Sequence, residues 1–272
     1  MRIVKTERFI EQIMTGSLPC KFECSDGETY FIKHIGNNPR HVINEFIGAK
    51  ILQFLDLPTP EIALVEVVLD ALDGEVFAYN RVPNGFAFGS KQIQGQTSLV
   101  LPSDLYKELE IRRFMNAQSI IGIVLFDIWV RNIDRGRRNP NLLIQQVGKN
   151  NYQFVAIDQA MIFAEKEYAK LSVVDDAIYW PNIQESLVSH PIYRQLHDSL
   201  GLFVSEESER VLSRIESVGE KELYEVLLAI PSELRVGESE KESIIRHYLL
   251  PRKHFVRGVF KKLLIEAKIQ EL

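Results

Sequence analysis

Short alternating runs of apolar and polar residues mark the first third of the chain and predict β-strands. The segment "KFECSDGETYFIKHI" holds two such runs, joined at Ser25–Gly27, a triplet typical of a hairpin turn. The runs "EIALVEVVL" and "EVFAYNRV" predict two further strands around a turn at Asp73–Gly74. This part of the chain is therefore expected to form a small antiparallel sheet.

One helix interrupts the predicted strands. Apolar residues recur with a helical period in "VINEFIGAKILQFLDL", and Pro58 and Pro60 end the pattern. Glu45 stands out in this helix, because its neighbours one and two turns later are Ala49 and Leu52 rather than polar residues. A charged side chain in such a stripe is costly unless it is paired, which makes Glu45 a candidate for an ion pair.

Longer helical periods in the later part of the chain predict a second, mainly helical lobe. A helix is expected over residues 104–116, then a buried helix in "AQSIIGIVLFDIWV", then a hairpin of "LLIQQV" and "YQFVAI" across "GKNN". The chain beyond Ala177 is predicted to be mostly helical, with a capping box from Ser239 to Glu242. Between the predicted strands and the predicted helices, the segment "VPNGFAFGSKQIQGQTS" shows neither a strand period nor a helical period and is interpreted as a connector. The predicted division is an N-lobe over residues 1–100 and a C-lobe over residues 101–272.

Composition and charge describe an ordinary globular protein. Of 272 residues, 46% are apolar and 25% are charged, and the formal net charge of -5 gives no overall electrostatic footprint for nucleic acid. The longest apolar run, residues 120–126, is far shorter than the roughly 20 residues of a membrane span, and the N-terminus lacks a signal-peptide pattern. We therefore expect a cytoplasmic protein without direct nucleic-acid or membrane contact. Cys20 and Cys24 lack the second half of a zinc site and are predicted to be buried thiols.

Three polar residues fall where predicted elements end, and their spacing indicates phosphoryl transfer. Asp134 and Asn139 lie five residues apart in the loop after the buried helix, and Asp158 follows the hairpin. Phosphoryl transfer needs a group that accepts the proton of the attacking hydroxyl and two oxygen ligands for Mg²⁺. This order and spacing are those of the catalytic and metal-binding loops of protein kinases. Taken alone, each residue is more typical of a polar turn, so the hypothesis depends on the set.

The other half of such a site is a strand lysine that contacts phosphates and a helix glutamate that orients it. Lys33 lies on the second strand of the predicted hairpin, and Glu45 follows twelve residues later on the helix. We therefore expect an ion pair between Lys33 and Glu45. The strand "EVFAYNRV" would lead into the hinge, where backbone groups of Asn80, Arg81 and Val82 could hydrogen-bond adenine.

Together these segments resemble the HipA-like kinase family, in its compact branch without the additional N-terminal domain. The resemblance rests on "DGETYFIKH", "NNPRHVINEFIGAKILQFLDLPTPE", "FDIWVRNIDRGRRNPNLL" and "AIDQAMIF", and it spans about residues 15–165. Asp-Arg with an asparagine at the fifth position is similar to the phosphoinositide kinases as well. The resemblance implies an α+β, two-lobed protein-kinase-like fold with a small antiparallel-sheet N-lobe containing one helix and a larger, mainly helical C-lobe.

The roles that the resemblance implies can be assigned residue by residue. Asp134 would be the catalytic base, Asn139 and Asp158 would bind Mg²⁺, and Lys33, oriented by Glu45, would contact the phosphates of ATP. The implied acceptor is a serine or threonine hydroxyl of a protein. Some members of the family are toxins that phosphorylate a translation factor, typically an aminoacyl-tRNA synthetase, under the control of a helix-turn-helix antitoxin. The same kinds of partner are implied here.

Three departures from the family pattern keep other functions open. Gly136 stands where relatives often have histidine, and Gln159 replaces the usual histidine-like residue after the metal-binding aspartate. For a phosphate-covering loop, "MTGSLP" offers only Gly16, with Ser17 beside it. One alternative is a nucleotide-binding pseudokinase or regulatory module. A kinase for a lipid or a small molecule is a third hypothesis, but it predicts a basic and apolar membrane-facing patch that the sequence does not display.

Several residues around the catalytic loop have two interpretations each. Asp127 either hydrogen-bonds the backbone of the loop, which we favour, or reaches solvent at the end of its helix. Asn132 is expected to fix the shape of the loop, and Trp129 to lie in the core. The four arginines of the loop fit a solvated surface and an anion contact equally well, with Arg135 the first choice for an anion contact. They are Arg131, Arg135, Arg137 and Arg138.

Overall fold

The structure, a computed structural model, describes residues 1–13, 19–34, 38–68, 85–95, 97–99, 111–172, 187–234 and 236–267. Within these ranges, no helix is long and apolar enough to span a membrane. Two clusters of buried apolar side chains form the core. One lies inside the N-lobe, and the larger one extends from the helix around residues 42–55 through the C-lobe. Cys20 and Cys24 belong to the first cluster as free, buried thiols, as predicted.

The N-lobe is a closed five-stranded β-barrel, whose pairings are antiparallel as predicted except for one parallel pair; the closure of the sheet was not predicted. Its strands are β1 (Arg2–Gln12), β2 (Cys20–Cys24), β3 (Thr29–His34), β4 (Ile62–Val67) and β5 (Gly85–Lys91). They follow the order β1-β2-β3-β5-β4, and a parallel pairing of β1 with β4 closes the barrel. Strand β1 escaped prediction because only Val4 and Thr6 of its side chains are fully buried, so its sequence carries little apolar alternation.

Strand β5 corrects a second expectation, since residues 85–91 were interpreted as part of the connector. The strand pairs with both β3 and β4 and therefore lies inside the barrel wall. Gly89 permits this, because a Cβ atom there would lie 2.4 Å from Cγ2 of Val65. Glycines and small residues in β5 remove the apolar alternation that would have indicated a strand. The strand predicted over residues 75–82 lies outside the described residues.

Helix α1 (Pro39–Phe54) contacts both lobes, and its prediction is confirmed. Two local signals start it: Pro39 occupies the first turn, where no hydrogen-bond donor is needed, and the side chain of Asn38 accepts a hydrogen bond from the backbone N–H of Arg40. Most of the helix is buried, including Asn44 and Glu45. Two adjacent polar residues in a buried helix require partners, and strand β3 and the chain after residue 156 provide them.

A buried helix and a three-stranded sheet form the side of the C-lobe that faces the cleft. Helix α2 (Ser119–Val130) is buried throughout except at Ser119, and it ends at Arg131, which takes a left-handed conformation with a φ of 51°. Strands β6 (Thr97–Leu99), β7 (Leu142–Gln146) and β8 (Tyr152–Ala156) form an antiparallel sheet in that order. The predicted buried helix and the hairpin are thereby confirmed, whereas part of β6 falls in the predicted connector.

The rest of the C-lobe is mainly helical in its described residues, as predicted. The α-helices are α3 (Pro191–Ser217), α4 (Glu220–Leu228), α5 (Glu238–Glu242), α6 (Leu250–Arg252) and α7 (Val256–Glu266), with a π-helical segment (Ser243–Leu249) before α6. Short 3-10 helices occur at Ile111–Arg113, Ile162–Glu165, Tyr168–Lys170, Leu187–Ser189 and Ser232–Leu234.

Two predictions for the C-lobe are wrong in detail. The 3-10 helix Ile111–Arg113 and the turns after it replace the end of the α-helix predicted over residues 104–116, whose earlier part lies outside the described residues. The capping box lies two residues before its predicted position, since Glu240 accepts a hydrogen bond from the backbone N–H of Gly237 at 2.9 Å. A glycine cap has no side chain, so a search for serine or threonine misses it.

The C-terminal helices hold the end of α2. The guanidinium of Arg252, which is buried, donates hydrogen bonds to the carbonyl oxygens of Ile128 (2.8 Å) and Trp129 (2.9 Å). The indole N–H of Trp129 donates to the carbonyl oxygen of Leu249 at 3.0 Å, and its ring lies in the core, as predicted. Carbonyl groups in the last turn of a helix lack intrahelical partners, so Arg252 satisfies them and its charge favours the helix dipole.

Candidate active site

The loop after α2 holds the Asp134 carboxylate in a fixed orientation. Its Oδ1 accepts a hydrogen bond from Nδ2 of Asn139 (2.9 Å), and its Oδ2 accepts one from Nδ2 of Asn141 (2.8 Å). The backbone N–H of Asp134 donates to Oδ1 of Asn132 (3.1 Å), which shapes the loop as the sequence indicated. The sequence analysis assigned no role to Asn141, although its place in "NPNLL", two residues after Asn139, was the available signal.

The predicted ion pair between strand β3 and helix α1 is present and has a third member. Nζ of Lys33 lies 2.5 Å from Oε1 of Glu45 and 2.8 Å from Oδ1 of Asp158. The second oxygen of Glu45, Oε2, accepts the backbone N–H of Gln159 at 2.8 Å. Glu45 is only 2% exposed and therefore connects the barrel lysine directly to the segment that carries Asp158.

The charges of this triad control its protonation. Burial alone would lower the pKa of Lys33, but the negative charges of Glu45 and Asp158 outweigh it and raise the pKa above its usual value. Burial opposes ionisation of Asp158 too, yet the neighbouring Lys33 ammonium lowers the pKa of that carboxyl. Lys33 is therefore a cation and Asp158 an anion near neutral pH.

One cleft of about 740 Å³ unites the candidate residues that the structure describes. Lys33, Glu45, Asp134, Asn139 and Asp158 all line it. At another part of the cleft the walls are apolar, from Phe31, Ile62, Phe88, Ile93 and Leu143. Gly16, Ser17, Asn80, Arg81 and Val82 lie outside the described residues, so their roles stay predictions.

Arg135 is buried, so neither a solvated surface role nor a contact with a substrate anion fits it; the anion that it binds is a carboxylate of the protein itself. Its side chain is 0% exposed, and its Nε lies 3.0 Å from Oδ2 of Asp127. Nη1 donates to the carbonyl oxygens of Asn141 (2.5 Å) and Ile157 (3.1 Å), and Nη2 donates to Oε1 of Gln159 (2.6 Å). The guanidinium therefore joins the catalytic loop, the end of β8 and the residue after Asp158.

Asp127 supports the loop through this arginine instead of through the backbone. We expected its carboxylate to accept backbone hydrogen bonds from the loop, but its partner is the Arg135 guanidinium, which in turn reaches the loop carbonyls. Burial raises the pKa of Asp127 to about 7, although the positive charge of Arg135 lowers it. Both side chains of the pair are buried, so either charge would destabilise the fold if the other were removed.

Asn44, which the sequence analysis did not single out, binds the segment after Asp158 to α1. Its Nδ2 donates to the carbonyl oxygens of Ala160 (2.8 Å) and Ile162 (3.3 Å), and its Oδ1 accepts from the hydroxyl of Tyr168 (2.7 Å). The side chain is fully buried, so these partners satisfy a group that would otherwise be costly. A second polar residue beside Glu45 in an apolar helix was the available signal.

The backbone after β8 is unusual where it faces α1. Asp158 has a φ of 57°, and the consecutive residues Phe163, Ala164 and Glu165 have φ values of 60°, 51° and 58°. Left-handed conformations of residues other than glycine are uncommon and persist where the surroundings hold them. Here Nη1 of Arg40 donates to the carbonyl oxygen of Glu165 (2.7 Å). Helix α1 therefore fixes the conformation of this segment along most of its length.

Fold and cleft define a two-lobed protein of the kinase-like class. A family model for HipA-like kinases matches residues 3–206, which is most of the chain. The chain therefore belongs to the HipA-like kinase family, and the family predicted from the sequence is confirmed. No curated protein sequence matches the chain.

Solved structures of kinases share the fold. A proinflammatory kinase of Helicobacter pylori, CtkA, superposes with a TM-score of 0.61 at 16% identity, covering 99% of this chain and 100% of its own. The Golgi casein kinase gives a TM-score of 0.56 at 8% identity over 99% of this chain and 76% of its own. A second structure of that kinase, with Mn/ADP bound, gives 0.53 at 8% identity over 96% and 74%. Identities this low show the fold, and they confirm its kinase-like class.

Proposed function

We propose that the chain is an ATP- and Mg²⁺-dependent kinase that transfers the γ-phosphoryl group of ATP to a serine or threonine hydroxyl of a protein. The observation that carries this proposal is the triad of Lys33, Glu45 and Asp158 in the same cleft as Asp134 and Asn139. A strand lysine held by a helix glutamate and facing a metal-binding aspartate is the arrangement that phosphoryl transfer by kinases requires.

The apolar part of the cleft suits a purine ring. Phe31, Ile62 and Phe88 offer apolar walls, and the chain leaving β5 at Lys91–Ile93 also lines the cleft. Ligand pockets combine such walls with a few backbone polar groups that fix orientation. The backbone at Lys91–Ile93 is therefore a further candidate for the adenine contacts that we predicted at Asn80–Val82.

Asn139 and Asp158 have the oxygen donors that Mg²⁺ prefers. Nδ2 of Asn139 is used in the hydrogen bond to Asp134, which leaves its Oδ1 for a ligand, and Oδ1 of Asp158 contacts Lys33, which leaves its Oδ2. Mg²⁺, when bound, supplies positive charge that neutralises the nucleotide phosphates. The Golgi casein kinase, similar in fold, was solved with Mn/ADP bound, which supports the same kind of ligand here.

Asp134 is the residue proposed to accept the proton of the acceptor hydroxyl. Its two oxygens are oriented by the amides of Asn139 and Asn141, so the carboxylate needs no reorganisation when the hydroxyl arrives. Lys33, kept protonated by its two acidic neighbours, provides a fixed positive charge for the phosphates. A positioned base contributes about 10²–10⁴-fold to a rate.

The decisive experiment compares wild type with Asp134→Asn, using radiolabelled ATP, Mg²⁺ and a mixture of serine- and threonine-containing peptides. We expect transfer to fall by about 10²-fold or more while the dissociation constant for ATP changes little, because Asp134 acts on the acceptor. Asp198→Asn, at an exposed position on α3, is the matched control and should retain activity. Undiminished transfer by Asp134→Asn would contradict the assignment.

The departures from the family pattern do not favour the pseudokinase alternative. The backbone N–H of Gly136 donates to the carbonyl oxygen of Asn139 (2.9 Å), and Oε1 of Gln159 accepts from Arg135 (2.6 Å). Both residues therefore complete the loop structure. Nucleotide binding without transfer to any acceptor would nevertheless favour a regulatory module. A translation-factor substrate and a helix-turn-helix antitoxin remain proposals that rest on kinship with the family.

A further inference from the structure

The basic side chains that line the cleft differ in whether an acidic side chain lies beside them. Four such residues line it, and three have a carboxylate oxygen within 3 Å: Lys33 with Glu45, His41 with Glu165, and Lys91 with Glu28. Arg138 is the fourth, and in the described part of the chain no acidic side chain lies within ion-pair distance of it. The chain as a whole has 37 acidic and 32 basic residues, so an unpaired arginine at this place is not explained by a shortage of acids.

Arg138 shares this property with its neighbour. Arg137 is exposed as well, and the described residues contain no ion-pair partner for it. Several other surface arginines of the described chain are paired: Arg8 with Glu23, Arg214 with Asp56, Arg246 with Glu220, and Arg257 with Glu209 and Glu216. Arg112 and Arg194 are exposed without an ion pair among the described residues, but they do not line the cleft. Arg137 and Arg138 differ from these in their place: they are two adjacent guanidinium groups without described acid partners, close in the chain to the proposed base Asp134, and Arg138 lines the cleft.

This surface is held in place. The hydrogen bond from the N–H of Gly136 to the carbonyl oxygen of Asn139 closes a turn with Arg137 and Arg138 at its tip. Arg135, directly before the turn, donates from its buried guanidinium to the carbonyl oxygen of Asn141, which follows the turn. The side chain of Asn139 donates to the carboxylate of Asp134. These contacts fix the backbone that carries Arg137 and Arg138, and the planar guanidinium of each can bind a carboxylate in a bidentate manner.

We propose that Arg137 and Arg138 bind an acidic side chain of the acceptor, so that the kinase selects serine or threonine residues with aspartate or glutamate a few residues away. This inference rests on the proposed function. Arg138 lines the cleft whereas Arg137 does not, so the pair straddles the mouth, where an acceptor segment enters. Ile133, which is 44% exposed on the other side of Asp134, offers that segment an apolar contact.

The nucleotide is a less suitable partner for this pair. Lys33 already provides a cation beside Asp158, one of the two proposed Mg²⁺ ligands. Arg138 is exposed and Lys33 is 17% exposed, which places the arginine nearer to the solvent edge.

A positional-scanning library of serine and threonine peptides tests the proposal with the full chain, ATP and Mg²⁺. Wild type should favour aspartate and glutamate at one or more positions near the acceptor. For the best acidic peptide, Arg137→Glu/Arg138→Glu should lower kcat/KM by about tenfold or more and shift the preference toward lysine and arginine, because like charges then oppose each other. The KM for ATP should stay unchanged. Arg112→Glu, at an exposed arginine outside the cleft, is the matched control and should keep the wild-type preference.

Three other outcomes would contradict the proposal, and each identifies which assignment is wrong. Transfer without an acidic preference overturns the acceptor site and leaves the kinase function standing. A raised KM for ATP in Arg138→Ala, with an unchanged peptide preference, also overturns it and makes Arg138 a nucleotide contact. Absence of transfer to every peptide, with ATP binding intact, overturns the protein-kinase function itself and this inference with it.

Discussion

Replacing Arg135 with methionine tests how the catalytic loop is supported. Methionine keeps the apolar stem of the side chain but removes the guanidinium, which binds Asp127, the carbonyl oxygens of Asn141 and Ile157, and the side chain of Gln159. The substitution therefore leaves a buried carboxylate without its cation. It also removes hydrogen bonds from acceptors at the loop and at the end of β8.

The expected loss of stability follows from the burial of the pair. The side chains of Arg135 and Asp127 are 0% and 4% exposed, and removing one partner of a buried ion pair costs about 3–5 kcal/mol in the free energy of unfolding. Asp127 can avoid part of this cost by binding a proton. Because burial already raises its pKa to about 7, the carboxyl is neutral at lower pH and ionised at higher pH. The loss should therefore be smaller at about pH 6 than at about pH 8.

Urea unfolding followed by circular dichroism at the two pH values measures this loss. Arg137→Met, an exposed change in the same loop, is the control and should alter stability by no more than about 0.5 kcal/mol. The double variant Asp127→Leu/Arg135→Met should be more stable than Arg135→Met alone, because it buries no unpaired charge. Kinase activity should fall in Arg135→Met and persist in Arg137→Met towards a peptide without acidic residues. A loss below about 1 kcal/mol, or a double variant weaker than the single one, would refute the reasoning.

Two further predictions concern the contact of α1 with the segment around Asp158. A Cβ atom on Gly48 would lie 2.5 Å from Cβ of Gln159, so Gly48→Ala should lower the unfolding free energy by about 1–3 kcal/mol and reduce transfer, measured by urea unfolding and labelled ATP. Gly258→Ala, where no atom lies within 4 Å, is the control and should be neutral or stabilising. In Lys33→Met, the Asp158 carboxyl should titrate at a higher pKa than in wild type by NMR. A carboxyl whose pKa is lowered in the folded state stabilises the fold above its usual pKa, and this contribution is lost as the pH falls through the lowered value. The part of the stability difference between wild type and Lys33→Met that is due to Asp158 should therefore become smaller under acid conditions. An unchanged Asp158 titration would exclude its coupling to Lys33.

Periodicity and spacing predicted the parts of this protein whose sequence reflects burial directly. Helix α2 reads as apolar because it is buried on all sides, and the Lys33–Glu45 pair could be inferred because a lone acid in an apolar stripe needs a cation. Strands β1 and β5 were missed or misassigned because few large apolar side chains mark them, and closure of the barrel depends on pairing between residues far apart in the chain.

The support of the loop could not be predicted in the same way. Arg135 looked like a surface or anion-binding residue because its neighbours in sequence are polar, yet its partners come from α2, β8 and the chain after Asp158. The role of Asn44 depends on a partner distant in sequence, Ala160, and the role of Asn141 depends on how the loop brings it back to Asp134. Residue type and spacing identify groups that carry chemistry, whereas the groups that hold them become visible only when the chain is folded.

The contact of Arg252 with the end of α2 sets a limit on how the kinase can be shortened. The match to the family ends at residue 206, which is inside α3 (Pro191–Ser217). A fragment cut there would lose Arg252 and the carbonyl group of Leu249 that binds Trp129, and with them the cap of the helix that precedes Asp134. We therefore expect a fragment limited to the matched residues to be unstable, and an expression fragment intended to retain the site should extend through α7 (Val256–Glu266).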